Sequence, residues 1–186
     1  MQITAGLHKG RKIQTLATKE VRPTLSKIRE SIFNVLQGLL ELNGSSMLDL
    51  FAGSGIMGFE ALSRGCKNVT FIDLNPKITT LIKKNLTEIL KSNQKVICAN
   101  STQFIAINSE KFDLIYIDPP YFEDMYENIL KLINENETLS NSGILVIERD
   151  TKISIQQFFD INDFELIKTK TYGRCSIDFV RTITKS

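Results

Sequence analysis

Between Leu48 and Gly58 the chain reads Leu-Asp-Leu-Phe-Ala-Gly-Ser-Gly-Ile-Met-Gly, an apolar run that breaks into three glycines spaced G-x-G-x-x-G. The apolar residues 47–51 predict a buried strand, and residues 56–63 predict a helix that stops near Gly65. A strand that turns through glycines directly into a helix is the opening unit of a parallel α/β sheet. The glycines there let the backbone approach a ligand closely.

The same rhythm continues along the chain. Apolar runs predict strands at 69–72, 95–99, 112–117 and 144–148. Between them lie helical patterns, the longest opened by Asn75-Pro76 and carrying Ile78, Leu81, Ile82, Leu86, Ile89 and Leu90 on one face. Shorter ones fall at 102–107, 126–133 and 155–159. An earlier helix starts near 24–26, with Ile28, Ile32, Phe33, Val35, Leu36, Leu39 and Leu40 at helical period. Strands alternating with helices imply right-handed crossovers and a parallel sheet covered on both faces. The last two strand patterns, 164–171 and 176–182, meet around Gly173 with no helix between them. They predict a hairpin that adds one antiparallel strand at an edge. The expected fold is therefore α/β and Rossmann-like, a mostly parallel seven-stranded sheet with one antiparallel edge strand.

The chain has 186 residues, 42% of them hydrophobic, which suits one catalytic domain over 26–186 preceded by a hairpin-like basic arm over 1–25. Ten glycines and four prolines exclude a collagen-like or low-complexity chain. The apolar runs are far shorter than the ~20 residues that a bilayer requires, so no membrane partner is expected. The first thirty residues are charged and unlike a leader. Cys66, Cys98 and Cys175 are odd in number and scattered, as befits reduced thiols in a cytoplasmic protein. His8 is the only histidine, so no metal site is expected.

Asp73 ends the next strand about 20 residues beyond the first glycine, where a carboxylate can take ribose hydroxyls. Two ligands fit this geometry, a dinucleotide and S-adenosylmethionine. Asp49, at the strand end just before the glycines, would repel a pyrophosphate and attract the cationic methionine end of S-adenosylmethionine. The fourth strand ends in Asp118-Pro119-Pro120-Tyr121. Two prolines remove two N–H donors, leaving the Asp118 carboxylate and the Pro119 carbonyl as acceptors. An exocyclic amine has two N–H groups for them to hold, and Tyr121 offers a face on which a base can stack.

Asp49–Gly55 together with Asp118–Tyr121 resembles class I S-adenosylmethionine-dependent methyltransferases acting on amino nitrogen. More narrowly the chain resembles the RsmD family, bacterial methyltransferases for guanine N2 of 16S ribosomal RNA. That likeness rests on Arg22-Pro23-Thr24, on Arg29-Glu-Ser-Ile-Phe-Asn-Val-Leu36, on Leu48–Gly55 and on Gly58-Phe-Glu-Ala-Leu-Ser-Arg-Gly65. It implies S-adenosylmethionine as cofactor and 16S ribosomal RNA, presented in a small-subunit particle, as partner. By position it implies that Asp49, Phe51, Ala52, Gly53, Ser54 and Gly55 line the methionine end. Asp73 and Leu74 would lie at the ribose, Asn100 and Ser101 at the adenine, and Asp118 to Tyr121 at the target amine. The ribose position, often Glu in the family, is Asp73 here; the adenine position, often acidic in the superfamily, is Asn100. The remaining alternatives are an adenine-N6 or protein-glutamine methyltransferase, an NAD(P)-dependent oxidoreductase, and a non-catalytic RNA-binding protein.

The formal charge of +2 conceals a pattern. Residues 1–30 hold seven cations against Glu20 and Glu30, and residues 166–186 hold five against Asp178. The body between carries a net −7. Phosphate contacts need only a local patch, so Lys9, Arg11, Lys12, Arg22, Thr24 and Arg174 are the expected RNA contacts.

Overall fold

A computed structural model describes residues 1–16, 26–119, 123–161 and 163–183. Seven strands form one sheet: β1 (Ser46–Asp49), β2 (Asn68–Asp73), β3 (Lys95–Cys98), β4 (Phe112–Ile117), β5 (Leu139–Asp150), β6 (Phe164–Tyr172) and β7 (Cys175–Thr182). Their order is β3-β2-β1-β4-β5-β7-β6. The first five run parallel. The terminal hairpin closes one side, and within it β7 is the reversed strand, lying between β5 and β6 and antiparallel to both.

Among the described residues six α-helices accompany them: α1 (Ser26–Leu36), α2 (Ile56–Ser63), α3 (Pro76–Asn85), α4 (Ser101–Ile107), α5 (Glu123–Glu135) and α6 (Gln156–Ile161). Successive strand residues point to opposite faces, so each strand feeds two cores. Met47, Leu114, Tyr116, Val146 and Phe179 pack with α1, α2 and α3 on one face. Leu48, Ile115, Ile117, Ile147 and Val180 pack with α4, α5 and α6 on the other. Burial on both faces is why these strands read as continuous apolar runs.

The chain moves outward from β1 to β3 and then returns to place β4 on the other flank of β1. That reversal opens a crevice at the carboxyl ends of β1 and β4, where sheets of this kind bind ligands. Local chemistry aims the flanking helices. Asn75 caps α3 by accepting from the Lys77 N–H, and Pro76 sits in the first turn where its missing N–H costs nothing. The long helix expected through Leu90 instead loosens into a π-helical turn at Leu86–Leu90.

The first sixteen residues are part of this body. Ile3 and Ile13 are buried, and backbone bonds between Met1 and Ile13 and between Ile3 and Arg11 make a hairpin. It lies against α2, whose residues from Ile56 to Ala61 are all buried as a result. No helix among the described residues is long and apolar enough to cross a membrane.

Candidate active site

The glycine turn begins where β1 ends. Ala52 N–H donates to the Ile72 carbonyl and Gly55 N–H to the Ala52 carbonyl, so the chain reverses sharply before α2. Gly53 (φ +50°) and Gly55 (φ +75°) occupy the left-handed region that favours glycine. A Cβ on Gly55 would lie 2.9 Å from the Phe59 ring. One on Gly53 would meet nothing nearer than 3.8 Å, so its backbone faces open space where a ligand can approach. Gly58 serves packing: a Cβ there would come within 2.2 Å of the Phe71 ring.

Asp73 holds this turn in place. Its Oδ2 accepts from the Gly53 N–H at 2.9 Å and its Oδ1 from the Asn75 N–H at 2.8 Å. Burial pushes its carboxyl above the ordinary value, and the two amides oppose that shift. Each oxygen retains a lone pair for a hydroxyl donor. Leu74 follows, exposed at the same strand end.

Asp49 is different. Its side chain is 1% exposed, and neither carboxylate oxygen has a hydrogen-bond partner. Burial raises its pKa from 3.8 to about 7; the nearby Gly58 amide offsets part of this without hydrogen-bonding geometry, and Asp73 adds repulsion. A buried, unpartnered carboxylate beside a glycine turn suits a cationic or N–H-donating ligand group. It suits the methionine ammonium and sulfonium of S-adenosylmethionine, and it opposes a pyrophosphate.

Register brings the next group alongside. Tyr116 of β4 is the direct neighbour of Asp49, and Asp118 lies two residues further along, at the crevice, followed by the buried Pro119. Pro120 and Tyr121 lie outside the described residues, as do Arg22 and Thr24. Asn100 and Ser101 stand at the end of β3, where Asn100 caps α4 by accepting from the Thr102 and Gln103 N–H groups. Its side-chain oxygen is therefore already used, leaving the amide NH2 for a ligand. Ser101 Oγ–H donates to the Leu50 carbonyl, joining the end of β3 to the glycine turn. Asp49, Phe51 to Gly55, Asp73, Leu74, Asn100, Ser101, Asp118 and Pro119 thus share one end of the sheet.

The basic candidates divide between the two ends. Arg174 is in the β6–β7 turn at the crevice end, paired with Asp150. Lys9, Arg11 and Lys12 are exposed on the hairpin, near its turn. Leu7 N–H and His8 N–H donate to Ser63 at the far end of α2, and Arg11 donates to the Ile89 carbonyl beyond α3. The hairpin turn that carries these cations thus sits at the end of α2 away from the glycine turn.

Two features escaped the sequence reading. Glu60 of α2 is fully buried and accepts from Arg29, Arg64, the Thr4 N–H and hydroxyl, and the Ala5 N–H. Burial pushes its carboxyl up, but these donors outweigh burial and hold it below the ordinary value. Arg29, 2% exposed, also donates to the Gln2 carbonyl. Glu60 thus joins α1, α2 and the hairpin; its sequence signals were a charge inside an apolar helix pattern and its place in the Gly58–Gly65 motif, neither of which names Arg29 or Thr4 as its partner. Glu148, two residues before the end of β5, accepts from the Tyr116 hydroxyl and the Cys175 thiol beside the crevice. Its signal was an acid closing a buried strand. Among the described residues no group of three or more His, Cys, Asp or Glu is placed to hold a metal.

The sheet order, with β7 reversed, and the crevice at the carboxyl ends of β1 and β4 are those of a class I methyltransferase, the class to which solved structures similar to this chain belong. The crystal structure of a Haemophilus influenzae protein named as a methylase, HI0767, matches with a TM-score of 0.81 and 32% identity over 98% of either chain. SMU.776, a methyltransferase solved with SAH, shares the fold at a TM-score of 0.65 and 14% identity, over 84% of this chain and 48% of its own. The family model described as conserved hypothetical protein 95 matches residues 1–181, and the chain belongs to that family. The ribosomal RNA small subunit methyltransferase D of Haemophilus influenzae is 34% identical over 177 residues, spanning 93% of this chain and 89% of the relative.

Proposed function

We propose that the chain transfers a methyl group from S-adenosylmethionine to the exocyclic N2 amine of a guanine in 16S ribosomal RNA, within a small-subunit particle in the cytoplasm. The carrying observation is the unpartnered Asp49 carboxylate, buried between the open glycine turn and β4, the strand that Asp118 follows. The name of the Haemophilus influenzae relative supports the substrate, and the SAH complex of the distant neighbour supports the donor.

The donor, when bound, supplies a methyl group on a positively charged sulfur. Asp49 takes the cationic methionine end, Asp73 the ribose hydroxyls, and the Asn100 amide and Ser101 N–H the adenine. The Asp118 carboxylate and the Pro119 carbonyl accept the two hydrogens of the target amine and leave its lone pair free to attack. A new N–C bond forms as the S–C bond breaks, and the surplus amine proton passes to Asp118 or to water. Asp118 stabilises the positive charge that develops on nitrogen. A base inside a duplex cannot reach this crevice, so the guanine is flipped out or single-stranded, with Tyr121 as its stacking face.

Nucleoside mass spectrometry of 16S rRNA from cells with and without the gene tests this reading. N2-methylguanosine is expected to fall by one residue per rRNA without the gene, and to return with the wild type but not with Asp118→Ala. An unchanged rRNA, together with no tritium transfer from labelled S-adenosylmethionine to small subunits from the gene-lacking strain, would overturn it.

A further inference from the structure

A cleft of about 440 Å³ runs between Leu16, just beyond the N-terminal hairpin, and the outer face of α3. Its lining is apolar at Leu16, Pro76 and Leu81 and polar at the exposed Lys77, Thr80 and Lys84. Positions 77, 80, 81 and 84 share one helix face, so the two lysines stand about 10 Å apart along the axis. Neither lysine has an ion-pair partner among the described residues. The surrounding stretch, residues 74–94, holds four lysines against Glu88 alone, although it lies within the acidic body of the chain.

At one end the cleft shares two of its walls with the surroundings of the glycine turn. Leu16 and Leu81 also line a small hollow with Gly53 and Ser54 of the glycine turn. At the other end the hairpin lies against the helix: Asn85 exchanges two hydrogen bonds with the Gln14 backbone, and Arg11 reaches the Ile89 carbonyl. Cations that are far apart in sequence, on the hairpin and on α3, therefore form one strip leading away from the glycine turn.

We propose that this cleft is a second RNA contact surface, holding the single-stranded RNA that leads away from the target nucleotide. Lys77 and Lys84 meet phosphates, Thr80 donates to a phosphate or ribose oxygen, and the apolar lining carries the sugar or base between them. Charge selects this occupant: unpaired lysines beside an apolar lining complement a polyanion with flat bases. The proposal rests on the rRNA reading above and extends the substrate surface beyond the crevice.

The test compares wild type, Lys77→Ala/Lys84→Ala, and a control, Lys131→Ala/Lys152→Ala, which removes two exposed lysines elsewhere. Each is titrated with deproteinised 16S rRNA and with small subunits from gene-lacking cells across a salt series, and separately with S-adenosylmethionine by calorimetry. Loss of two single-strand phosphate contacts lowers the slope of log affinity against log salt by about 1.4 and weakens rRNA binding roughly tenfold. Methyl-donor affinity and the control are unchanged. A double variant with wild-type slope and affinity would overturn the cleft while leaving the rRNA reading intact. Loss of methyl-donor affinity would overturn it too, by assigning the cleft to the donor site. If the wild type transfers no methyl group to either substrate, the rRNA reading fails and the cleft proposal with it.

Discussion

Burying an aspartate with no partner is costly unless a proton or a cation joins it. Asp49 is in that position, with its pKa carried from 3.8 to about 7. In the folded chain it binds its proton more tightly than in the unfolded chain. Its own contribution to stability is therefore greatest below about pH 4, falls as the pH rises toward 7, and levels off above it, by roughly 4 kcal/mol in all. Asp49→Asn removes this slope. Denaturant titrations at pH 5 and pH 8 are expected to show the variant gaining on wild type at the higher pH. Calorimetry should show its S-adenosylmethionine affinity reduced at least about tenfold, the cost of a lost charged contact; unchanged affinity would remove Asp49 from the donor site. Asp118→Ala should separate the two functions differently, abolishing turnover while donor affinity stays within a few-fold. At this scale the sequence was informative because the chemistry is local. Glycines, a strand-end acid and a proline pair declare themselves by type and spacing. The lack of partners around Asp49 was not legible, since it depends on what the fold brings near.

At the scale of elements, α2 carries more than its sequence suggests. Eight residues, nearly all apolar, read as a helix packed on the sheet, yet the outer side is buried as well because the hairpin covers it. Glu60 is the fastening between them. Glu60→Ala would strand Arg29, 2% exposed, without its carboxylate and leave the Thr4 and Ala5 N–H groups without their acceptor. A loss of about 3–5 kcal/mol follows, read as a fall in melting temperature of about 10 °C with early hydrogen exchange in the hairpin. Gly6 is a second fastening. It has φ +79°, and a Cβ there would lie 1.8 Å from the Ser63 carbonyl oxygen. Gly6→Ala should cost about 2 kcal/mol or more by thermal unfolding, whereas Gly173→Ala, with nothing within 4 Å, carries only the strain of its positive φ. The elements themselves were largely readable. Observed α2 and β4 coincide with the apolar periods at 56–63 and 112–117, because burial on one or both faces leaves its period in the sequence. The π-turn after Asn85 left no such trace: its apolar residues keep the helical spacing while the backbone bonds change.

For the molecule as a whole, the terminal hairpin is part of the sheet rather than an appendage. Ile177, Phe179 and Val180 of β7 are fully buried, and β7 covers the outer side of β5 from Leu145 to Asp150. A chain cut before β6 would expose that edge and two half-filled cores, and size-exclusion chromatography should find it aggregated. Charge also takes its meaning at this scale. In the linear chain the cations gather at the two ends, but folding sets the hairpin beside α3 and its lysines, while Arg174 reaches the opposite flank of the crevice. By itself the sequence determined the α/β class, the glycine turn after β1, and the acids that stand at the carboxyl ends of the strands. These are written in short-range patterns that local sterics and solvent exclusion translate directly. Only the tertiary structure decided that Glu60 meets Arg29 and Thr4, that Asp49 is left without a partner, and that β7 lies between β5 and β6. Each is a meeting of residues distant in the chain, and the free energy of such meetings depends on which surfaces pack together, which no local pattern records.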